Sequence, residues 1–388
     1  MSLQTFLSVR DGLSAPAWWL ARALSVPTEI SWHNHNNAIL TLRDHAPSSD
    51  AHPDFSLLDL KIALATKTLD DCDLCPHLCH VNRNAGKVGF CGVAHESAVH
   101  WEGVLYGEEI ELVPSHEVFL SGCTMRCAFC YSHEHIVKPM SGRRTSPTDL
   151  AACASNRKRQ GATNLNLVGG EPTVHLPNIL RALRELNEPL PLVWNSNLYA
   201  MPHAMQLLEG VVDLYLGDIH FGNDECARTL GRIPSYVASV TKAFEMAVAS
   251  RASVVIRHLV MPGHLDCCAL PAMQWAKAVL PDVPFHLMYQ YVPDYRAEGD
   301  LILGRPLSRA EIARVRQMAQ NVGIRLYKNG ARPSTADHAE RPGEKVLEME
   351  PWAGNAIDIL IHDDGRVSFT RLSEELLPVL KSLGQPAS

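Results

Sequence analysis

From residue 117 onward the chain alternates short β-branched or aliphatic runs with longer stretches whose apolar residues recur at helical spacing. Runs at 117–121, 164–169, 192–196, 213–218, 253–260 and 285–291 predict strands, and 147–160, 176–187, 202–209, 235–250 and 268–279 predict helices between them. Strand alternating with helix predicts parallel βαβ units joined by right-handed crossovers. Six such units are too few to close an eight-fold barrel, and the loops after the strands should gather at one face.

On either side of this α/β core the pattern thins. Residues 15–24 predict a helix, whereas 34–53, rich in His and Asp, read as a solvated loop because the histidines have no regular ligand spacing. Residues 324–327 read as a strand and 329–345 as a mobile link with little apolar content. Strands at 357–362 and 366–370 about an Asp364-Gly365 turn predict a hairpin, with a terminal helix at 373–383. The expected organisation is an N-terminal extension (1–69), a cysteine-rich segment (70–110), the α/β core (111–328) and a linker with C-terminal extension (329–388).

Composition changes this picture little. The chain has 388 residues, 46 % of them hydrophobic, enough for one large core with small appendages. A net charge of −7, with no basic run beyond Arg157-Lys158-Arg159, gives no bulk attraction to nucleic acid or anionic lipid. No apolar run reaches spanning length, and the start, MSLQTFLSVRDG, lacks a signal-peptide pattern, so a cytoplasmic protein with no membrane partner is expected. The 11 cysteines are odd in number and clustered, which points to metal ligation in a reducing compartment rather than to disulfides.

The most informative cluster is Cys123, Cys127 and Cys130, in FLSGCTMRCAFCYS directly after the first core strand, with Phe129 before the last thiol. Three thiolates in one loop can ligate three irons of a cubane [4Fe-4S] cluster and leave the fourth open, whereas a ferredoxin-type cluster uses four. A zinc knuckle is the alternative, with His133 or His135 as fourth ligand. About forty residues on, the strand at 164–168 ends in Gly169-Gly170-Glu171-Pro172. Two glycines let backbone approach a ligand without a Cβ, the Glu supplies an acceptor for an ammonium, and the Pro locks the turn. Further polar groups fall at strand ends: Asn195, Ser196 and Asn197 on the third, Asp218 and His220 on the fourth, Arg257 and His258 in the fifth. For Asn195 and His258 a helix cap or a bond to a loop carbonyl is the plainer role.

A second cluster lies upstream. Cys72, Cys75, Cys79 and Cys91, with Gly and Pro interleaved, suit either a Zn(Cys)4 site or a fully ligated auxiliary [4Fe-4S] cluster. Adjacent Cys267 and Cys268 lack a clear partner, and because neighbouring thiols rarely share one metal, burial in the core is expected.

The three-cysteine loop and the GGEP turn together resemble radical S-adenosylmethionine (SAM) enzymes. The strings CDLCPHLCHVNRNAGKVGFCG, GEE at 107–109, WNSNLY, GDIHFGNDECARTL, VIRHLVMPGHLDCC and MYQYVPDYRA, across 70–300, are similar to uncharacterised proteins related to the pyruvate formate-lyase activating enzyme. The resemblance implies a partial (β/α)6 TIM-type barrel. It also implies a [4Fe-4S] cluster on Cys123, Cys127 and Cys130 whose open iron takes the amino and carboxylate groups of SAM, and a flavodoxin or ferredoxin donor whose electron releases a 5'-deoxyadenosyl radical. Cofactor contacts are then expected from Phe129, Gly169, Gly170, Glu171 and Pro172 around the methionyl amino group, from Ser196 and Asn197, and from Arg257 on the carboxylate, with Asp218 and His220 nearby or facing the substrate. The chain departs from its relatives at Tyr131-Ser132-His133, where Gln-Asn is common after the third cysteine, and at His220, where Lys is frequent. The expected activity is hydrogen abstraction from a small molecule or peptide; the alternatives are an activase acting on a partner enzyme and a non-catalytic iron-sulfur or zinc protein.

Overall fold

The computed structural model describes residues 15–44, 54–106 and 109–327, and three short strands beyond them. Residues Met1–Val104 with Pro114–Tyr327 make one compact unit, and Leu105–Val113 with Lys328–Ser388 a second.

The first unit is built on strands β1 (Ser97–Leu105), β2 (Ser115–Leu120), β3 (Arg143–Thr145), β4 (Asn164–Gly169), β5 (Leu192–Ser196), β6 (Leu214–Asp218), β7 (Ser253–Leu259) and β8 (Phe285–Met288). They form one open sheet in the order β3-β1-β2-β4-β5-β6-β7-β8, antiparallel at the β3-β1 edge. From β2 to β8 each neighbouring pair is parallel. This is the expected six-stranded partial barrel with an edge extension. β5 is buried at all five positions and β6 at four of five, because a parallel strand covered on both faces has no solvated side.

Helices follow the strands as the apolar period predicts: α4 (Pro147–Arg159), α5 (Leu176–Glu185), α6 (Pro202–Leu208), α7 (Tyr236–Ala249) and α8 (Leu270–Val279). α9 (Arg309–Val322) comes after β8 and was not expected from the sequence. Its start is nonetheless written there, since Ser308 and Glu311 form a capping box that satisfies two orphan N–H groups. Residues 324–327, expected as a strand, make only a single-residue bridge from Leu326 to Phe285.

Upstream lie α1 (Ala17–Ala23), α2 (Trp32–Asp44) and α3 (Leu57–Thr68). α2 corrects the reading of 34–53 as a solvated loop, at least as far as Asp44; residues 45–53 lie outside the described residues. Its polar composition hides a narrow apolar stripe, on which His35, Ala38 and Ile39 are buried. His35 accepts from the buried Lys61 Nζ at 2.8 Å, and Lys61 also donates to the Gln206 carbonyl at 3.1 Å. Trp18 donates from Nε1 to the Leu190 carbonyl at 2.8 Å. Asp213, 1 % exposed just before β6, accepts from the backbone N–H of Ala17 and of Leu192, each at 2.8 Å, and so ties α1 to the sheet.

In the second unit, β9 (Lys345–Val346), β10 (Ile359–Ile361) and β11 (Val367–Phe369) form an antiparallel sheet in the order β11-β10-β9. β10 and β11 are the two arms expected of the hairpin, while β9 pairs residues placed at the end of the expected link. The rest of that link, the Asp364-Gly365 turn, the helix at 373–383 and most of the GEE at 107–109 lie outside the described residues. Among the described residues no helix is long and apolar enough to cross a membrane.

Replacing Asp213 by Ala should lower stability by about 2–4 kcal/mol, because two N–H donors lose their acceptor. Burial pushes the Asp213 carboxyl up to about 7. The folded chain then keeps a proton that the unfolded chain releases above about pH 4, so this contribution is full below that pH and is lost as pH rises through about 7. Thermal midpoints of the wild type, relative to those of Asp213→Asn, should therefore fall between about pH 4 and pH 7; a constant difference would overturn the assignment.

Candidate functional site

The site lies where the C-terminal ends of β2, β4, β5, β6 and β7 converge. β2 runs directly into Ser121-Gly122-Cys123, and Cys123, Cys127 and Cys130 stand in one loop as free thiols. Burial pushes all three thiols up, Cys130 to about 11; Cys123 and Cys130 raise Cys127 further, and Cys130 raises Cys123. Such a group is unfavourable as bare thiolates; a bound cation would reverse that balance. Phe129, 7 % exposed, packs with ring centroids about 6 Å from His220, Phe221 and Tyr291.

Two glycines bring β4 against this loop. A Cβ on Gly170 would stand 1.8 Å from the Gly122 carbonyl oxygen, and one on Gly169 would stand 2.3 Å from the Leu120 nitrogen. The space a Cβ would fill is therefore occupied by the protein's own backbone. Gly169 admits the end of β2 and Gly170 the start of the cysteine loop.

Glu171 follows, 1 % exposed. Its Oε1 accepts from the Thr173 N–H at 3.0 Å, the Thr173 hydroxyl at 2.6 Å and the Ser196 hydroxyl at 2.8 Å, while Oε2 accepts from the Asn197 N–H at 3.0 Å. Burial pushes its pKa up against these four donors. The Asn197 amide continues the chain, donating to the Cys123 sulfur at 3.5 Å and to the Thr124 hydroxyl at 3.1 Å. Pro172 opens the turn Pro172–His175, and His175 bonds the Ser121 carbonyl at 2.7 Å. Glu171, Ser196 and Asn197 are thus joined in one network that ends on a loop thiol.

Arg257 lies directly across from Asp218 in the parallel register of β6 and β7. Its Nε donates to Asp218 Oδ1 at 2.8 Å and its Nη2 to Asp218 Oδ2 at 3.1 Å, with a further bond from Nη2 to Asn195 Oδ1. The fork expected to meet a carboxylate from outside therefore holds one from the next strand. His258 takes the plainer role, bonding the Ile219 carbonyl at 2.6 Å through Nδ1. Asn166 Oδ1, Asn195 Nδ2 and His220 Nδ1 are buried without a hydrogen-bond partner among the described residues. Burial, offset by Asp218, lowers the His220 pKa, so the ring is neutral at neutral pH and offers both a donor and an acceptor.

The upstream cysteines abut the same loop. His77, between Cys75 and Cys79, bonds the Thr124 carbonyl at 2.7 Å and stacks on Phe90 at 3.8 Å. Arg126 lies over Phe90 at 4.5 Å and donates to its carbonyl. Burial, together with Cys91, Cys72 and Cys79, pushes Cys75 up to about 12. His133 and His135, the zinc alternative's fourth ligands, are engaged elsewhere: His133 stacks on Tyr295 at 4.7 Å and His135 on His100 at 3.7 Å. Sequence reasoning missed His77, Arg126 and Arg296, whose bonds span 36 to 170 residues and leave no local signal.

Comparison with known proteins bears on this arrangement. The family model of the radical SAM superfamily matches residues 118–276. An uncharacterised protein of Methanocaldococcus jannaschii is 34 % identical over 340 residues, 84 % of this chain and 99 % of that one. Among solved structures, Streptococcus suis SuiB bound to S-adenosylmethionine is similar at a TM-score of 0.40 and 14 % identity over 51 % of this chain, which spans only 44 % of SuiB. A radical SAM methyltransferase from Sphaerobacter thermophilus gives a TM-score of 0.42 and 17 % identity over 55 % of this chain and 66 % of that one.

Glu171→Gln keeps the shape of the side chain but sets an amide N–H against one of the four donors. A loss of about 1–3 kcal/mol in stability is expected, read as a lower thermal midpoint of the anaerobically purified protein. An unchanged midpoint would show that the carboxylate is not the anchor of the turn.

Proposed function

We propose, for a chain that belongs to the radical SAM superfamily, that it abstracts hydrogen from a small molecule or a peptide. The observation that carries this reading is the group of three free thiols in one loop at the C-terminal end of β2, one buried and two half-buried, pressed against the Gly169–Pro172 turn. The donor set fits the group that the family implies. Three thiols in one loop suit a [4Fe-4S] cluster with one open iron, and the Asn195 and His220 nitrogens, unpartnered among the described residues, suit a polar ligand beside it. When bound, the cluster and SAM supply one electron to a C–S bond and a 5'-deoxyadenosyl radical that takes the hydrogen.

The chain's own residues would then divide the work. Cys123, Cys127 and Cys130 hold the irons, and Asn197 orients Cys123 through its N–H···S contact. Arg296 opposes the raised pKa of Cys127, offsetting thiolate charge. Phe129, Asn195 and His220 face the bound cofactor. Glu171, Ser196, Gly169, Gly170 and Pro172 fix the shape of the turn around it. A carboxylate would reach Arg257 by sharing the fork now held by Asp218. The electron comes from a flavodoxin or ferredoxin, in the cytoplasm.

Cys72, Cys75, Cys79 and Cys91 would hold a second [4Fe-4S] cluster in a segment distinct from the barrel. Their mutual electrostatic influence supports a shared group. Cubane ligands attach to separate irons and stand further apart than the ligands of a single ion. Through His77 and Phe90 this second site adjoins the first, a placement suited to electron relay.

Cys127→Ala should lose about four irons per chain and yield no 5'-deoxyadenosine from SAM with dithionite; retained SAM cleavage would overturn the assignment of the loop. Cys75→Ala/Cys79→Ala should also lose about four irons. Iron unchanged, with zinc lost, would replace the second cluster by a zinc site and leave one redox centre.

A further inference from the structure

A third group of residues able to hold a metal lies outside both cysteine clusters. Cys226 follows β6 by eight residues, and His264, Cys267 and Cys268 lie on the loop after β7. Their sulfur atoms and the His264 Nδ1 all lie within 4.8 Å of one another. The Cys226 and Cys267 sulfurs are 3.8 Å apart and those of Cys267 and Cys268 3.9 Å apart. His264 Nδ1 stands 3.7, 3.2 and 3.9 Å from Cys226, Cys267 and Cys268.

These are five of the six edges of a coordination tetrahedron, and the sixth, from Cys226 to Cys268, is within 4.8 Å. Bonds of about 2.3 Å to sulfur and about 2.0–2.1 Å to nitrogen set S···S edges of about 3.8 Å and S···N edges of about 3.6 Å around zinc. Four donors this close leave room for one ion at their centre and none for a cubane. We infer that Cys226, His264, Cys267 and Cys268 form a closed four-ligand zinc(II) site that pins the loop after β6 to the loop after β7.

The local backbone is built for this convergence. Adjacent cysteines seldom aim at one ion because an ordinary helical turn spreads their side chains; here they stand in a π-helical turn, Leu265–Ala269, whose wider winding brings both sulfurs onto the His264 side. A second π-helical turn, Ala227–Gly231, begins directly after Cys226. Asn223 holds the two segments together, donating to the Cys267 carbonyl at 2.6 Å and to the Cys226 sulfur at 3.3 Å. An N–H···S bond of this kind is what outer-shell partners supply to a metal-bound thiolate. Gly222 is required beside them, since a Cβ there would stand 2.5 Å from the Cys268 carbonyl oxygen and 2.8 Å from that of Cys267.

Zinc binding releases the three thiol protons and leaves His264 neutral, with its remaining proton on Nε2. With four protein ligands the ion has no open position, so its role is structural. The braced segment reaches the three-cysteine loop: Arg126 donates its N–H to the Gly231 carbonyl at 2.8 Å and Ala128 to the Leu230 carbonyl at 2.7 Å. The site would therefore hold one wall of the radical site rigid. Cys268 is buried in the core and Cys267 packs against it, as expected; Cys226, 41 positions away from Cys267, is the partner that the sequence did not reveal.

The test is metal analysis with zinc-edge X-ray absorption on full-length protein purified anaerobically from zinc-supplemented medium. About one zinc per chain is expected, with three sulfurs at about 2.3 Å and one nitrogen at about 2.0–2.1 Å. Cys226→Ser/Cys267→Ser should lose it with iron unchanged, whereas Cys75→Ala/Cys79→Ala should keep it. His264→Cys should retain zinc with four sulfurs. If the double serine variant does not fold, His264→Ala should still release zinc to a chelator at least about tenfold faster than the wild type, as the loss of one ligand predicts. A wild type with less than about a tenth of an equivalent of zinc, zinc retained in the folded double serine variant, or zinc release from His264→Ala at the wild-type rate would overturn the inference. Because zinc is read directly, failure here leaves the radical SAM reading untouched.

Discussion

A carboxylate without access to water is the constraint from which the site is assembled. Glu171 must be hydrogen-bonded on both oxygens to remain in its position, and the donors that satisfy it come from its own turn and from the end of β5. Meeting that requirement fixes Ser196 and Asn197, and Asn197 in turn reaches the Cys123 sulfur. The glycine pair before Glu171 lets the turn sit against Gly122, so the carboxylate network and the cysteine loop are held in one register. A larger residue at Gly170 would separate them by more than any side-chain rearrangement could absorb.

A similar economy governs the barrel interior. Asp218 and Arg257 neutralise each other across β6 and β7, and Asn195 on β5 bonds the same guanidinium. A fork engaged on three acceptor atoms cannot swing, so the polar groups beside it are fixed before any ligand arrives. Two nitrogens without partners among the described residues, Asn195 Nδ2 and His220 Nδ1, lie next to this rigid pair. Leaving such groups unsatisfied costs about 1–3 kcal/mol each, a cost that a polar ligand in the barrel mouth would recover.

The strands from 164 to 259 and their helices were legible in the sequence because a parallel core writes an unbroken apolar run for every strand and a helical period for every crossover. α2 was not, because Asn34, Asn36 and Asn37 outnumber the apolar residues of its one buried stripe, and its burial depends on Lys61 meeting His35. The three-cysteine loop was legible as a local spacing. The partners of Glu171 and Arg257 were not, since bonds over 25, 39 and 62 residues leave no mark on the chain near either end. Cys226 fails for the same reason: a lone cysteine acquires meaning only when the loops after β6 and β7 meet.

The three-cysteine loop is braced from two directions. On one side His77 and Phe90 of the upstream segment meet Thr124 and Arg126; on the other, the carbonyls of Leu230 and Gly231 accept the N–H groups of Ala128 and Arg126. Arg126 belongs to both braces, its guanidinium over Phe90 and its backbone on Gly231. A loop carrying three thiols has little regular structure of its own to hold it, and mutual repulsion of thiolates would spread it. Both braces approach from segments that themselves carry clustered cysteines, so metal at either flank would stiffen the loop without touching it. The order imposed on the reactive centre would then be set by the metal content of its surroundings as much as by its own three ligands.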